Sequence, residues 1–156
     1  TDILDKNALL CARCFLNLPE TNFFSKPGNP VEKIFYGRLP VECAGAGYYF
    51  TKNSLMQHLM IQLKYHNNKD IGFYFGKLTG ALMLQSQRFN TVDCIVPLPL
   101  NEIKEKKRGY NQAAVIAEGI AEVFGKPIIK HAVRRTVFTE TPDSRAIARS
   151  ERPAVP

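Results

Sequence analysis

TVDCIVPLPL (residues 91–100), NEIKEKKRGY (101–110) and NQAAVIAEGIAEVFG (111–125) run consecutively, and the fold is read from them. Residues 92–97 are a short apolar run rich in Val and Ile, which predicts a buried strand. Ala113, Ile116, Ala117, Ile120, Ala121 and Phe124 recur at helical spacing, so the last part predicts an amphipathic helix. Gly125 closes it at the left-handed position that a side chain with Cβ resists. Between the two lie Lys104, Lys106, Lys107 and Arg108, read as a basic loop. A strand that delivers a basic loop to a helix N-terminus is how open α/β sheets present anionic ligands.

Working outward, PIIKH (127–131) predicts a second strand, so residues 92–131 read as strand, helix, strand: a parallel pair with a right-handed crossover. A parallel pair is buried on both faces. The cover expected for it is two helices, at 54–65 and 69–88. Ser54 and Gln57 form a capping-box pattern at the start of the first, in which Gln57 reaches back to the N-cap amide. Leu55, Leu59 and Leu63 follow at i, i+4 spacing, with Met56 and Met60 as core filler. The second carries Ile71, Phe75, Leu78 and Leu82 on one face. Gly72, Gly76 and Gly80 recur every four residues, which points to close packing against the preceding helix or the sheet. Residues 41–52 predict two short strands about a glycine-rich turn, and residues 18–40 an irregular connection. The fold class expected is therefore α/β, a parallel sheet flanked by helices, preceded by a small cysteine segment. The domains expected are 1–40 (cysteine segment and linker), 41–141 (main domain) and 142–156 (irregular tail).

With 156 residues, 45% of them hydrophobic, the chain can bury one core. Its formal charge of +7 favours anionic partners: phosphorylated metabolites, nucleic acid or an acidic protein surface. No apolar run approaches the ~20 residues that span a bilayer, so no membrane insertion is expected. With no signal-peptide core in view, the expected location is the cytoplasm. Thr1 stands where a natural start has Met, and the abrupt ending SRAIARSERPAVP matches no pattern, so the sequence is expected to be incomplete at both ends.

Cys11-Ala-Arg-Cys14 is a CxxC pair. Two thiolates at this spacing can share one zinc, but a tetrahedral structural site needs four ligands. Cys43 and Cys94 are distant, and His58, His66 and His131 have no ligand spacing. Half a zinc site and two reduced free thiols both remain open. The pair is not read as redox-active, because no strand-to-helix junction is predicted at it.

The order CARC, FYGR, QLKYHNNKDIG, VPLPL, KKRGYNQA and VRRTVFTET resembles the competence protein F (ComF) family over residues 9–141. That resemblance implies a type I phosphoribosyltransferase-like (amidophosphoribosyltransferase-like) fold with an N-terminal zinc finger. It implies a pyrophosphate loop at residues 96–100, including Pro97 and Leu98. Arg108, Gly109, Asn111 and Gln112 become the loop-to-helix signature beside the ligand, with Lys107 as a neighbouring cation. Lys64 and Tyr65 match the family's LKY; Arg135, Thr136 and Thr139 match its RRTxxT. Cys11 and Cys14 become one of two zinc-binding pairs. The implied cofactors are Mg²⁺ with phosphoribosyl pyrophosphate, and Zn²⁺ once further ligands are supplied. The implied role is phosphoribosyl transfer, a glycosyltransferase-class reaction, in DNA uptake or nucleotide metabolism.

Two family features are missing from the sequence. The cysteine pair upstream of Cys11 is absent, and so is the acidic loop ending in a Thr-Thr-Gly-type turn that binds phosphoribosyl pyrophosphate. The catalytic residues therefore stay unassigned. Two further readings stand beside the enzyme. One is a non-catalytic accessory factor that stacks single-stranded DNA on Tyr110, Tyr65 and Phe35 and meets DNA-uptake proteins. The other is a protein-docking module gripped by the cysteine segment.

Overall fold

A computed structural model describes residues 9–133. Within them the chain forms six α-helices: α1 (Ala12–Leu16), α2 (Pro30–Phe35), α3 (Leu55–Tyr65), α4 (Lys69–Ser86), α5 (Glu102–Arg108) and α6 (Gln112–Phe124). A 3₁₀ turn, Phe23–Ser25, lies between α1 and α2.

Local chemistry sets the ends of these helices. Asn29, Ser54, Asn68, Asn101 and Asn111 each accept a hydrogen bond from an amide of the first turn they precede. Such side chains satisfy donors that a helix start leaves without a partner. Gln57 reaches back as the capping box predicts, although it accepts from the amide of Asn53, one residue before the cap, at 2.6 Å. Gly109 and Gly125 stop α5 and α6 at φ of +77° and +65°.

The packing centre is the pair α4 and α6. They meet across glycines: a Cβ built on Gly76 would fall 2.8 Å from the Cα of Gly119 and would overlap the Ile116 carbonyl. One built on Gly80 would lie 3.1 Å from Val123. The repeat of small residues thus serves a close helix contact, but mainly with α6; only Gly72 also faces the preceding helix, at Leu63. Around this seam Leu59, Leu63, Ile71, Phe75, Tyr110 and Val115 form the main core, with Leu59, Leu63 and Ile71 almost wholly shielded from water. Phe24, Phe89 and Phe124 form a second cluster past the end of α4.

The expected α/β fold, a parallel sheet flanked by helices, is corrected by this architecture. No strand or sheet is present among the described residues. Two isolated bridges stand instead: antiparallel between Glu20 and Tyr48, and parallel between Ile95 and Ile128. The physical reason is local to the prolines. Ile95 donates to the Pro127 carbonyl at 2.8 Å and accepts from the Ile129 amide at 3.0 Å. In a parallel ladder the next residue of that strand to bond is two further on, and here it is Pro97, which has no N–H to give. The segments around residues 95 and 128 run side by side for one bridge and stop. Residues 41–52, read as two strands, likewise pair only at Tyr48. The basic segment read as a loop is α5, and residues 18–40 contain the 3₁₀ turn and α2.

That early segment is tied to the rest by a buried polar knot. The Glu32 carboxylate accepts from the Arg88 guanidinium at 2.5 Å and from the amides of Gly28 and Ala44 at 2.6 and 3.2 Å. Asn29 donates to the carbonyls of Phe23, Lys26 and Ala44. A buried carboxylate is tolerated when it is paired and fully hydrogen-bonded, as here.

Candidate functional site at the α5–α6 corner

Residues 97–112 fold into a compact corner at one end of the α4–α6 seam. Pro97 is buried, and Leu98 is exposed. Asn101 opens α5 by accepting from the amides of Ile103 and Lys104 at 3.0 and 3.4 Å. Lys104, Lys106 and Lys107 are exposed along α5. Lys106, Lys107 and Arg108 fill its last turn, where the helix dipole favours positive charge. Gly109 then reverses the chain, its amide donating to the Glu105 carbonyl at 2.7 Å.

Tyr110 fastens the corner to the core. Its ring is buried, its hydroxyl donates to the Leu63 carbonyl, and the ammonium of Lys69 lies 5.1 Å from the ring centroid. Burial pushes the phenol above its ordinary range. Asn111 works in two directions at once. Its side-chain oxygen accepts from the Ala113 amide at 3.0 Å, capping α6, and its side-chain NH₂ donates to the Leu98 carbonyl at 2.9 Å. The VPLPL segment is thereby held against the start of α6.

Gln112 is buried and accepts from Arg108 Nη1 at 3.0 Å. The Arg108 guanidinium also lies 5.7 Å from the centroid of the exposed Tyr65 ring, close enough for a cation–π contact. Two neutral groups therefore orient this cation without neutralising it. The ion pairs found among the described residues are Lys77–Glu122, Arg88–Glu32 and Lys130–Glu118, and Arg108 belongs to none of them.

Of the site residues named from the sequence, Pro97, Leu98, Lys107, Arg108, Gly109, Asn111 and Gln112 all fall in this corner, and Tyr65 reaches it from the end of α3, where the exposed Lys64 precedes it in the chain. Arg135, Thr136 and Thr139 lie outside the described residues. Tyr110, named as a base-stacking ring, is withdrawn into the core and cannot stack; Tyr65, 70% exposed, can. Sequence reasoning missed the contact of Arg108 with Tyr65. The two residues are 43 positions apart, and their segments are joined by the Tyr110 anchor on Leu63 and by the core around it.

The cysteine pair differs from its sequence reading. Cys11 is the N-cap of α1, accepting on its sulfur from the Cys14 amide at 3.4 Å, so the pair does sit at a helix start. That amide holds the Cys11 thiol below its ordinary range, while the hydrogen bond with the Cys11 side chain pushes Cys14 up. No group of three His, Cys, Asp or Glu side chains able to hold a metal occurs among the described residues. The two sulfurs alone do not meet the four-ligand demand of structural zinc.

No protein-family model, curated protein or solved structure matches the chain.

Proposed function

We propose that the α5–α6 corner binds a pyrophosphate-type anion, such as phosphoribosyl pyrophosphate or another phosphorylated small molecule, and that the protein acts in DNA uptake or nucleotide metabolism as a ComF-like protein. One observation carries the reading: Arg108 is aimed by Gln112 and Tyr65, carries an uncompensated charge among the described residues, and adjoins the capped start of α6. Guanidinium groups match phosphate oxygens in fork geometry, and a pre-oriented one loses less entropy on binding. Exposed Lys107 and Lys64 supply further charge that adjusts to the ligand.

The described residues offer arginine and lysine to such a ligand and no carboxylate cluster for Mg²⁺. Magnesium would therefore arrive on the ligand's own oxygens. No step of phosphoribosyl transfer is assigned to these residues.

Titration calorimetry with pyrophosphate and with phosphoribosyl pyrophosphate, each with and without Mg²⁺, tests the reading. Arg108→Ala is expected to weaken binding by about 1.5–3 kcal/mol, the range for hydrogen bonds to charged groups. An affinity unchanged in both Arg108→Ala and Lys107→Ala sinks the assignment.

A second reading rests on Tyr65, whose exposed ring beside Arg108 and Lys64 suits a base of single-stranded DNA. In a non-catalytic accessory factor of this kind, Tyr65→Ala would remove oligonucleotide binding and leave pyrophosphate binding in place.

A further inference from the structure

Cys14, the second thiol of the CxxC pair, borders a cavity. Between α1 and the start of α3 lies an open concavity of about 420 Å³ lined by Arg13, Cys14, Asn17, Asn53, Ser54, Leu55 and His58. Its size falls in the range of small-molecule sites. Its wall is more apolar than polar, with Leu55 and the side-chain stems contributing. It carries one thiol with a guanidinium, an imidazole, two carboxamides and a hydroxyl, polar groups that suit carboxylates next to a sulfur centre. Cys11 and Cys14 stand one helical turn apart, with Cys11 capping the turn that Cys14 ends. Side chains three positions apart on such a turn have Cβ atoms about 5–6 Å apart. Their Cα atoms, about 5 Å apart by helix geometry, fall inside the roughly 4.4–6.8 Å that a disulfide spans. A small backbone shift of this short turn closes the Cβ atoms to the roughly 4 Å it also requires. Zinc would need further donors that the described residues do not bring here. Cys43 and Cys94 are single thiols in other parts of the fold, with no such partner and no part in this cavity.

We propose that Cys11 and Cys14 are a redox couple that exchanges with an acidic small-molecule disulfide seated in the cavity between α1 and α3. The exchange balances in two steps. A thiolate of the pair attacks one sulfur of the external disulfide R–S–S–R, forming a protein–S–S–R bond. The departing R–S⁻ takes up the proton lost by the attacking thiol. The second cysteine then attacks the protein-side sulfur, closing the Cys11–Cys14 disulfide and releasing the second R–SH. Two electrons and two protons pass from the dithiol to the disulfide, and the reverse reaction spends two R–SH to reopen the pair. The CxxC spacing is visible in the sequence, but the helix start at Cys11 is not, because a five-residue helix has no apolar periodicity to announce it.

The test uses the full chain, reduced and metal-free, with glutathione disulfide as the acidic probe and cystamine as a cationic one. The expected result is loss of two alkylatable thiols and a Cys11–Cys14 crosslink in peptide maps, reversed by reduced glutathione. Glutathione disulfide should react about tenfold faster than cystamine at low salt, as expected for charge-guided encounter. Arg13→Ser should erase that preference while the crosslink still forms. Cys11→Ser and Cys14→Ser variants should stop at the mixed disulfide. Persistence of both thiols in excess glutathione disulfide overturns the proposal. So does a crosslink joining any other cysteine, or equal rates with the two probes. Zinc retained at one equivalent by the protein as purified, with both thiols protected, would replace it by a metal site.

Discussion

At the scale of single residues, this fold depends on side chains that serve two partners. Asn111 caps one helix and holds the neighbouring segment; Tyr110 fills the core and bonds the end of α3. Glu32 is the strongest case, because it joins Arg88 to two backbone amides that nothing else satisfies. The Arg88 guanidinium, foremost, holds its carboxyl below the usual carboxylate range, with the Gly28 and Ala44 amides acting the same way. A depressed pKa means that the folded state prefers the charged form. The stabilisation is complete above the unfolded value near pH 4.5 and is lost as pH falls through the folded value. Glu32→Gln is therefore expected to lower Tm at neutral pH, with the gap to wild type closing below about pH 4.5. Thermal melts between pH 7 and pH 3 check this; a gap that stays constant across that range would show that the carboxylate charge contributes nothing.

At the scale of elements, the α4–α6 seam decides what the chain can tolerate. A glycine inside a helix costs up to ~1 kcal/mol relative to alanine, so Gly76→Ala taken alone would stabilise α4. The seam reverses that sign. The new Cβ meets the backbone of α6, at Gly119 and Ile116, and not the movable end of a side chain. Forcing two helix backbones apart costs about 1–3 kcal/mol and outweighs the propensity gain. Urea denaturation of Gly76→Ala should show a lower midpoint, and a raised one would mean the helices do not touch there. The same contrast between local and non-local causes explains what could be read in the sequence. Helices α3, α4 and α6 were legible to within two residues, because capping residues, apolar period and terminal glycines are all local signals. The sheet was misread because apolar runs such as CIVPL and PIIK fit a buried strand as well as a single bridge between helices. Only the missing N–H of Pro97 separates the two, a one-residue signal inside an otherwise strand-like run. α5 shows no helical signal in the sequence, since six of its seven residues are charged and Ile103 alone makes no apolar face. At the candidate site, the position of Arg108 beside the start of α6 was legible, whereas Tyr65 was joined to it by a contact across 43 positions.

At the scale of the whole molecule, the charge of +7 favours any anion, so weak binding by itself would say little about a site. Geometry separates the general field from the corner. α4 has 18 residues and so spans about 27 Å at 1.5 Å per residue. Lys69, at its start, lies over Tyr110 in the corner, whereas Arg88, just past its end, bonds Phe24 in the turn that leads to Lys26. The Debye length at physiological salt is about 8 Å, several times shorter than that separation. Lys107→Glu and Lys26→Glu change the net charge equally, one at the corner and one at the far end. At 0.15 M salt, Lys107→Glu should weaken pyrophosphate binding by about tenfold or more, while Lys26→Glu should leave it within about twofold. At 0.01 M salt the Debye length reaches about 30 Å and the second variant should begin to lose affinity as well. Equal losses at both salt concentrations would mean that the anion answers to the overall charge, and the corner would then be no site at all.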